Sequence, residues 1–166
     1  MTTTWKLKKI ISGGQTGVDR AALDAGLEAG LEIGGYCPKG RKAEDGKIPD
    51  RYPLIETPSG DYRVRTEKNV IESDATLVLN VGKLSGGTAL TVKLAAKHKK
   101  RCLVIQLEYQ DAARVDRIRS WLAENDIQTL NVAGCRESKN KGIYIMALEL
   151  LRKVLAHPRG SDQGSV

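Results

Sequence analysis

A glycine-rich stretch near the N-terminus carries residue types that bind anions. It reads Ser12-Gly13-Gly14-Gln15-Thr16-Gly17-Val18-Asp19-Arg20 and follows a short apolar run. Between a strand and a helix, glycines let backbone N–H groups approach an oxyanion closely, and the helix N-terminus adds positive potential. A tight turn without a ligand is the alternative. We predict a phosphate-type site whose residues are Gly13, Gly14, Gln15, Thr16, Gly17 and Arg20.

This stretch matches neither of the two common glycine-rich nucleotide motifs. It is not a Walker A loop, because no Gly-Lys-Ser/Thr follows the spaced glycines, and it is not Gly-x-Gly-x-x-Gly. The acidic residue that would end the second strand and hold a ribose is absent, since Tyr36-Cys37-Pro38 occupies that place. These differences disfavour ATP-driven phosphoryl transfer and dinucleotide redox chemistry.

A second glycine-containing loop follows the most apolar run of the chain. Its residues are Ser85, Gly86, Gly87 and Thr88, and a helical pattern comes next. The loop would present another row of backbone amides at the same edge of the predicted sheet. Two such loops suit a ligand with one phosphate and another polar or anionic end.

Three further polar segments supply candidate binding side chains. Lys39 and Arg41 lie in a charged loop, where they either bring mobile positive charge over the site or are simply solvated. Thr66 either caps a helix or binds ligand, and Asn69 either contacts the edge of a heterocycle or satisfies backbone groups. The last polar loop, residues 134–139, contributes Arg136 and Ser138.

Residue patterns for catalysis and metal binding are weak in this chain. Neither His98 nor His157 lies near an obvious Ser or Cys nucleophile. The three cysteines are far apart and form no CxxC, so we predict neither a disulfide framework nor a structural zinc site. The sequence does not determine the geometry of the carboxylates that could act as acids or bases, Asp19, Asp24, Glu44 and Asp45.

Predicted strands and helices alternate along the chain. Apolar runs predict strands at 7–12, 31–36, 52–57, 75–80, 102–106 and 129–132. Apolar spacings of three and four predict five helices, at 18–30, at 66–74, from the second glycine loop to about 97, from 111 onwards, and at 143–154. Thr66 is a candidate N-cap of the second of these helices. This alternation predicts an α/β fold with a doubly wound, mainly parallel, Rossmann-like sheet in one three-layer domain. We assign residues 1–156 to that domain and residues 157–166 to a flexible tail.

The composition is that of a soluble globular protein with an anionic partner. The chain has 166 residues, of which 28% are charged, and a net charge of +7. It contains no long apolar run of the kind that crosses a membrane and no signal-peptide pattern, so we predict a cytoplasmic protein. Nucleic acid is a weak candidate partner, because the few aromatic side chains are not interleaved with basic ones. We also expect a homo-oligomer, as many sheets of this type pair through outer helices.

Several of these stretches together resemble the family of putative molybdenum carrier proteins. The resemblance is carried by residues 12–20, by Gly-Tyr-Cys-Pro-Lys-Gly-Arg at 35–41, by Arg-Thr-Glu-Lys-Asn-Val at 65–70 with Ser-Asp-Ala-Thr-Leu-Val at 73–78, and by Asn-Val-Ala-Gly-Cys-Arg-Glu-Ser-Lys at 131–139. It extends from about Lys9 to Leu155, and it departs from the family pattern at Cys135, where proline is expected. The family belongs to a Rossmann-like superfamily that includes lysine-decarboxylase-like proteins.

The resemblance implies that the protein binds, protects and delivers the molybdenum cofactor without catalysis. That cofactor is a pterin phosphate whose anionic ends suit two amide-rich loops. Molybdenum would arrive inside it, so the resemblance implies no metal ligand from the protein. Molybdoenzymes or cofactor-synthesis proteins would be the partners. One alternative is a phosphoribohydrolase acting on nucleoside monophosphates, but the glutamate of its Gly-Gly-x-Gly-Thr-x-x-Glu pattern is absent after Thr88. A sensor of a nucleotide-like ligand is the other alternative.

Overall fold

The protein is an α/β sandwich around a five-stranded parallel sheet. A computed structural model describes residues 4–156. The strands are β1 (Lys9–Ile11), β2 (Glu32–Gly34), β7 (Ala75–Asn80), β8 (Arg101–Gln106) and β9 (Thr129–Gly134), in the spatial order β2-β1-β9-β7-β8. Every pairing in this sheet is parallel, as in β7 against β9, where Thr76 lies opposite Asn131.

Five helices cover the two faces of the sheet. They are α1 (Val18–Glu28), α2 (Tyr62–Ile71), α3 (Gly86–Lys97), α4 (Arg114–Glu124) and α5 (Ile143–Leu155). The main hydrophobic core lies between the sheet and α1, α4 and α5, and includes Ile10, Leu77 and Leu130. Alternate strand residues point the other way, towards α2 and α3. The α/β, Rossmann-like prediction is confirmed.

Four short strands lie outside the main sheet. They are β3 (Tyr36–Cys37), β4 (Lys42–Ala43), β5 (Gly46–Lys47) and β6 (Ile55–Glu56). β3 pairs in parallel with β6, and β4 pairs with β5 as an antiparallel hairpin, which we call the 42–47 hairpin. The hairpin lies between the predicted strands 31–36 and 52–57, where the sequence indicated a charged loop.

Two of the differences between predicted and observed elements have identifiable local reasons. The predicted strand 31–36 is divided at Gly35, whose φ of +123° turns the chain out of the main sheet, and a Cβ there would lie 2.3 Å from the Ser12 carbonyl oxygen. The predicted N-cap at Thr66 is wrong. Helix α2 begins one turn earlier at Tyr62, where Asp61 accepts a hydrogen bond from the Arg63 N–H at 2.9 Å.

The parallel arrangement places the functional loops at one edge. The carboxyl ends of β1, β7 and β9 lead into residues 12–17, 81–85 and 135–142 respectively. In wound sheets of this kind, ligands bind at that edge. Within residues 4–156, no helix has both the length and the apolar character needed to cross a membrane. The predicted tail, residues 157–166, lies outside the described residues.

Candidate functional site

A cavity opens at the carboxyl edge of the sheet, beside the N-terminus of α3. It holds about 770 Å³ of empty space, part of it open to solvent. Half of the residues predicted from the sequence line it, namely Gly13, Gln15, Thr66, Asn69, Ser85, Gly87, Thr88 and Arg136.

Positive charge predominates among the described residues that line the cavity. Arg65, Lys83, Arg136 and Lys139 are the cationic side chains, and Asp19 is the one acidic side chain. Such a lining raises the local concentration of anions and disfavours cationic ligands.

Arg65 is a central residue of the cavity that sequence analysis did not select. It projects from α2, is 8% exposed, and donates from Nη1 to the Gly13 carbonyl oxygen at 2.7 Å. Its guanidinium also lies 5.1 Å from the centre of the Tyr62 ring. The signal was present in the sequence, because Arg65 and Asn69 are four residues apart and therefore share one face of a helix.

The second predicted glycine loop forms an open N-terminus of α3. Ser85 precedes the helix with extended backbone and makes no side-chain cap, and a Cβ on Gly87 would meet no atom within 4 Å. Thr88 is buried at the cavity wall. Lys139 Nζ would lie 3.0 Å from a Cβ on Gly86, so its ammonium group hangs over this turn. Free amides and a cation together can bind an oxyanion.

The first predicted loop is divided between the cavity and the protein interior. Gly13 and Gln15 line the cavity. Gly14 has a φ of +78°, and a Cβ there would clash with Leu54 Cδ1 at 2.6 Å. A Cβ on Gly17 would lie 2.4 Å from the Cys135 carbonyl oxygen. These two glycines permit close packing and do not line the cavity.

Carboxylates of the 42–47 hairpin bind three polar side chains that the sequence predicted to be ligand-binding. Arg20 forms two hydrogen bonds to Asp45, at 2.5 and 2.7 Å. The hydroxyl of Thr16 donates to Glu44, as do the N–H and hydroxyl of Ser138, the latter at 2.5 Å. The structure thus places Thr16, Arg20 and Ser138 outside the cavity lining, paired with the protein's own acids.

The two cations of the charged loop also lie away from the cavity. Arg41 donates to the main-chain carbonyls of Ile48, Pro49, Tyr52 and Leu54, and so holds residues 48–54 in place. Lys39 is exposed in a short 3-10 turn that precedes the 42–47 hairpin. Neither contributes to the cavity lining in this structure.

Asp19 is the buried carboxylate of the cavity. Its Oδ2 accepts from the Gln15 N–H at 3.1 Å. Burial raises the pKa of Asp19 above its usual value, although the Arg65 guanidinium and the Gln15 N–H act in the opposite direction. The other candidate acids lie elsewhere. Asp24 accepts from the hydroxyls of Tyr52 and Tyr144 at 2.8 and 2.5 Å, outside the cavity.

Comparison with known proteins decides the family. The profile of the circularly permutated YpsA SLOG family, cpYpsA, matches residues 10–155. The chain belongs to the cpYpsA family.

A solved structure agrees with this assignment to cpYpsA. The crystal structure of a protein named Putative molybdenum carrier protein, from Syntrophus aciditrophicus SB, is 47% identical to this chain and has a TM-score of 0.88. The match covers 92% of this chain and 97% of the other. It confirms the resemblance noted from the sequence motifs. Among curated proteins, nothing matches this chain.

Two asparagines that sequence analysis missed complete the cavity of this cpYpsA protein. Asn80 ends β7, and its Nδ2 donates to the Gly82 carbonyl oxygen at 2.8 Å. Asn131 lies within β9 and donates from Nδ2 to Thr76 Oγ1 at 3.2 Å. Both are almost fully buried. Asparagine is uncommon inside strands, and this departure from strand propensity was the available signal.

Metal ligation by the protein has no obvious location in the described part of this cpYpsA chain. Residues 4–156 contain no cluster of three or more His, Cys, Asp or Glu side chains that could hold an ion. Cys135 lines the cavity, but its thiol donates to Asn80 Oδ1 at 3.4 Å. Burial raises the pKa of the other two thiols, Cys37 and Cys102.

Proposed function

We propose that this protein binds and carries an anionic phosphorylated pterin, the molybdenum cofactor, without transforming it. The observation that carries the proposal is the positively charged cavity beside the open N-terminus of α3. The 47% identical relative named as a putative molybdenum carrier protein supports the choice of ligand. In this role the protein holds a reactive cofactor until it is transferred, which requires binding and not turnover.

The mouth of the cavity, where the exposed Lys83 and Lys139 lie, would hold the phosphate. The backbone amides of Gly87 and Thr88 point out of the first turn of α3, where the helix dipole favours negative charge. Lys83 and Lys139 add mobile cations at the same place. Arg65, buried and fixed by Gly13, would supply a positive charge that does not move when the ligand arrives.

A nucleoside-monophosphate hydrolase is the second candidate function. Asp19 favours it, because this residue places a carboxyl group with a raised pKa in the cavity. Two observations favour the carrier instead. The residues after Thr88 are Ala89, Leu90 and Thr91, with no glutamate, and Asp19 Oδ2 already accepts the Gln15 N–H. A nucleotide sensor would use the same cavity and differ in its downstream partner.

Purification under anaerobic conditions followed by native mass spectrometry tests the carrier proposal. We expect an added mass that corresponds to a phosphorylated pterin, with or without molybdenum. The Gly87→Asp variant, purified in parallel, is the control, and we expect it to carry no such mass.

A second assay separates carrier from hydrolase. The protein is incubated with AMP, and free adenine is measured over time. We expect no release above that of a protein-free sample. Sustained release of adenine, several molecules for each protein chain, would replace the carrier with the hydrolase.

Delivery of the cofactor requires recipient proteins in the same cellular compartment. We propose that the protein acts in the cytoplasm as a homo-oligomer and passes its ligand to molybdoenzymes or to cofactor-synthesis proteins. Size-exclusion chromatography with light scattering measures the oligomeric state, and reconstitution of a cofactor-free molybdoenzyme measures delivery. A monomer at micromolar concentration, or no activation of the recipient enzyme, would contradict these two expectations respectively.

A further inference from the structure

The deep end of the cavity differs chemically from its mouth. Lys83 and Lys139 at the mouth are exposed and charged. Gln15 and Asn131 lie deeper, with 7% and 3% exposure, and both carry an uncharged carboxamide. We call these two residues the cavity floor. A ligand that fills the whole cavity therefore meets mobile cations at the mouth and, deeper, two carboxamides beside the buried pair of Asp19 and Arg65.

Asn131 offers an unused acceptor to the cavity. It lies in β9, between β1 and β7, where Ile11 and Thr76 are its neighbours across the sheet. Its Nδ2 donates to Thr76 Oγ1 at 3.2 Å, which orients the carboxamide. None of the described residues donates to its Oδ1. This oxygen is not fully enclosed, so water or a ligand can donate to it.

Gln15 offers an unused donor to the same cavity. Its Oε1 accepts two backbone N–H groups, from Thr16 at 3.1 Å and from Glu44 at 2.9 Å. These two bonds determine which end of the carboxamide is oxygen, because an amide nitrogen could not accept them. Its Nε2 is buried and has no partner within residues 4–156.

Two other buried asparagines of the cavity show that such groups are normally paired here. Asn69 binds the backbone of Tyr36 with both ends of its carboxamide, at 2.8 and 3.0 Å. Asn80 donates to Gly82 and Gln106 and accepts from Cys135. Gln15 Nε2 is therefore an exception among the buried carboxamides that line the cavity. The other buried side-chain atom without a partner in residues 4–156 is Ser12 Oγ, which does not line the cavity.

We propose that the cavity floor binds the uncharged hydrogen-bonding edge of a heterocycle. Asn131 Oδ1 accepts a ring or amino N–H, and Gln15 Nε2 donates to a ring nitrogen or carbonyl oxygen. The inference rests on the proposed function, since the ligand's phosphate would occupy the mouth. A second anionic group is disfavoured at the floor because neither carboxamide carries positive charge and the buried Arg65 guanidinium already faces the Asp19 carboxyl group. The 2-amino-4-oxo edge shared by pterins and guanine supplies both the donor and the acceptor.

Calorimetric titration with two commercial probes tests the assignment. GMP presents the heterocycle edge and a phosphate, whereas ribose 5-phosphate presents the phosphate and sugar alone. We expect the wild-type protein to bind GMP more than about tenfold tighter than ribose 5-phosphate, since a site built to hydrogen-bond a ligand group discriminates against its absence. This comparison needs no variant and so does not depend on how a mutant folds.

Two variants then test whether Asn131 causes the preference for GMP over ribose 5-phosphate. Both Asn131→Leu and Thr76→Val break the hydrogen bond between these residues, but only the first removes the Oδ1 acceptor. Thr76 does not line the cavity and is the matched control. We expect Asn131→Leu to bind GMP and ribose 5-phosphate with similar affinity, and Thr76→Val to retain most of the preference for GMP.

The outcomes distinguish this inference from the proposed function. If ribose 5-phosphate binds wild type as tightly as GMP, or if Asn131→Leu keeps the preference for GMP, the heterocycle assignment is wrong while the anion site remains. If neither probe binds at millimolar concentration, both the anion site and the floor assignment are overturned.

Discussion

Arg65 donates from Nη1 to the carbonyl oxygen of Gly13 at 2.7 Å, although the two residues are 52 positions apart in the chain. The bond joins α2 to the turn after β1 and places a buried guanidinium at the cavity wall. Glycine is required at position 13 for this contact, because a Cβ there would lie 2.2 Å from Arg65 Nη1. The position of the Arg65 guanidinium in the site thus depends on glycine at position 13.

Adding a single methyl group at Gly13 tests this relationship. We expect Gly13→Ala to displace the Arg65 guanidinium and to weaken binding of ribose 5-phosphate about tenfold, because a fixed charge leaves the cavity. Loss of a buried charge-assisted hydrogen bond should also lower the free energy of unfolding by about 1–3 kcal/mol. Titration calorimetry and urea denaturation measure the two effects. Gly60→Ala is the control, since its Cβ would meet nothing closer than Lys42 Nζ at 3.9 Å. Unchanged affinity in Gly13→Ala would remove Arg65 from the site.

The open turn of α3 predicts a variant that loses binding but keeps its fold. A Cβ on Gly87 meets no atom within 4 Å, so Gly87→Asp should melt within a few degrees of wild type. Its carboxylate would repel a phosphate at the helix N-terminus and fill the space that the phosphate needs. We expect no detectable binding of ribose 5-phosphate by calorimetry. Gly87→Asn has the same size without the charge, so partial binding by it would assign the remaining effect to electrostatics. Normal binding by Gly87→Asp would show that this turn does not hold the phosphate.

The raised pKa of Asp19 predicts how stability changes with pH. Burial raises this pKa above the ordinary value of 3.8, so between the two values the folded chain holds a proton that the unfolded chain has released. The stability of the wild type, relative to Asp19→Asn, should therefore fall as pH rises from about 3.8 through the folded pKa. Urea denaturation of both proteins across that pH range measures the difference. A difference that grows in the opposite direction would mean that Arg65 outweighs burial.

The lowered pKa of Glu44 predicts that its contribution to stability changes with pH in the opposite direction. Burial opposes ionisation, but hydrogen bonds from Ser138 and Thr16 dominate and lower the pKa of Glu44 from its ordinary value of 4.5. The stabilisation is then fully present above pH 4.5 and is lost as pH falls through the lower folded pKa. At pH 7 we expect the free energy of unfolding of Glu44→Gln to be about 1–2 kcal/mol lower than that of wild type.

Hydrogen exchange locates the effect of Glu44→Gln. Backbone amides of the 42–47 hairpin should exchange faster in this variant, because the carboxylate contacts to Thr16 and Ser138 are lost. Amides of β7, a fully buried strand of the main sheet, serve as the internal control. Equal exchange of the hairpin in wild type and variant would show that its other contacts, Arg20 to Asp45 and the Glu44 N–H to Gln15, are sufficient to hold it.

The order of elements followed from local patterns in the sequence. β7 was predicted at its observed bounds, 75–80, because a continuous apolar run is typical of a strand buried on both faces. Helix α1 was found from its spacing of small apolar residues. The alternation of strands and helices then indicated a parallel sheet with its glycine loops at one edge, and the structure has that arrangement.

Which side chains line the cavity was decided by contacts between distant segments. Arg20 and Thr16 have the residue types of an anion site, but Asp45 and Glu44, about 25 residues later, bind them. Arg65 reaches the cavity because α2 begins at Tyr62 and points it towards Gly13. Residue type and local spacing thus determined the sheet and the edge where the loops gather. Side-chain partners depend on how α2 and the 42–47 hairpin pack against that edge, and no local pattern encodes this packing.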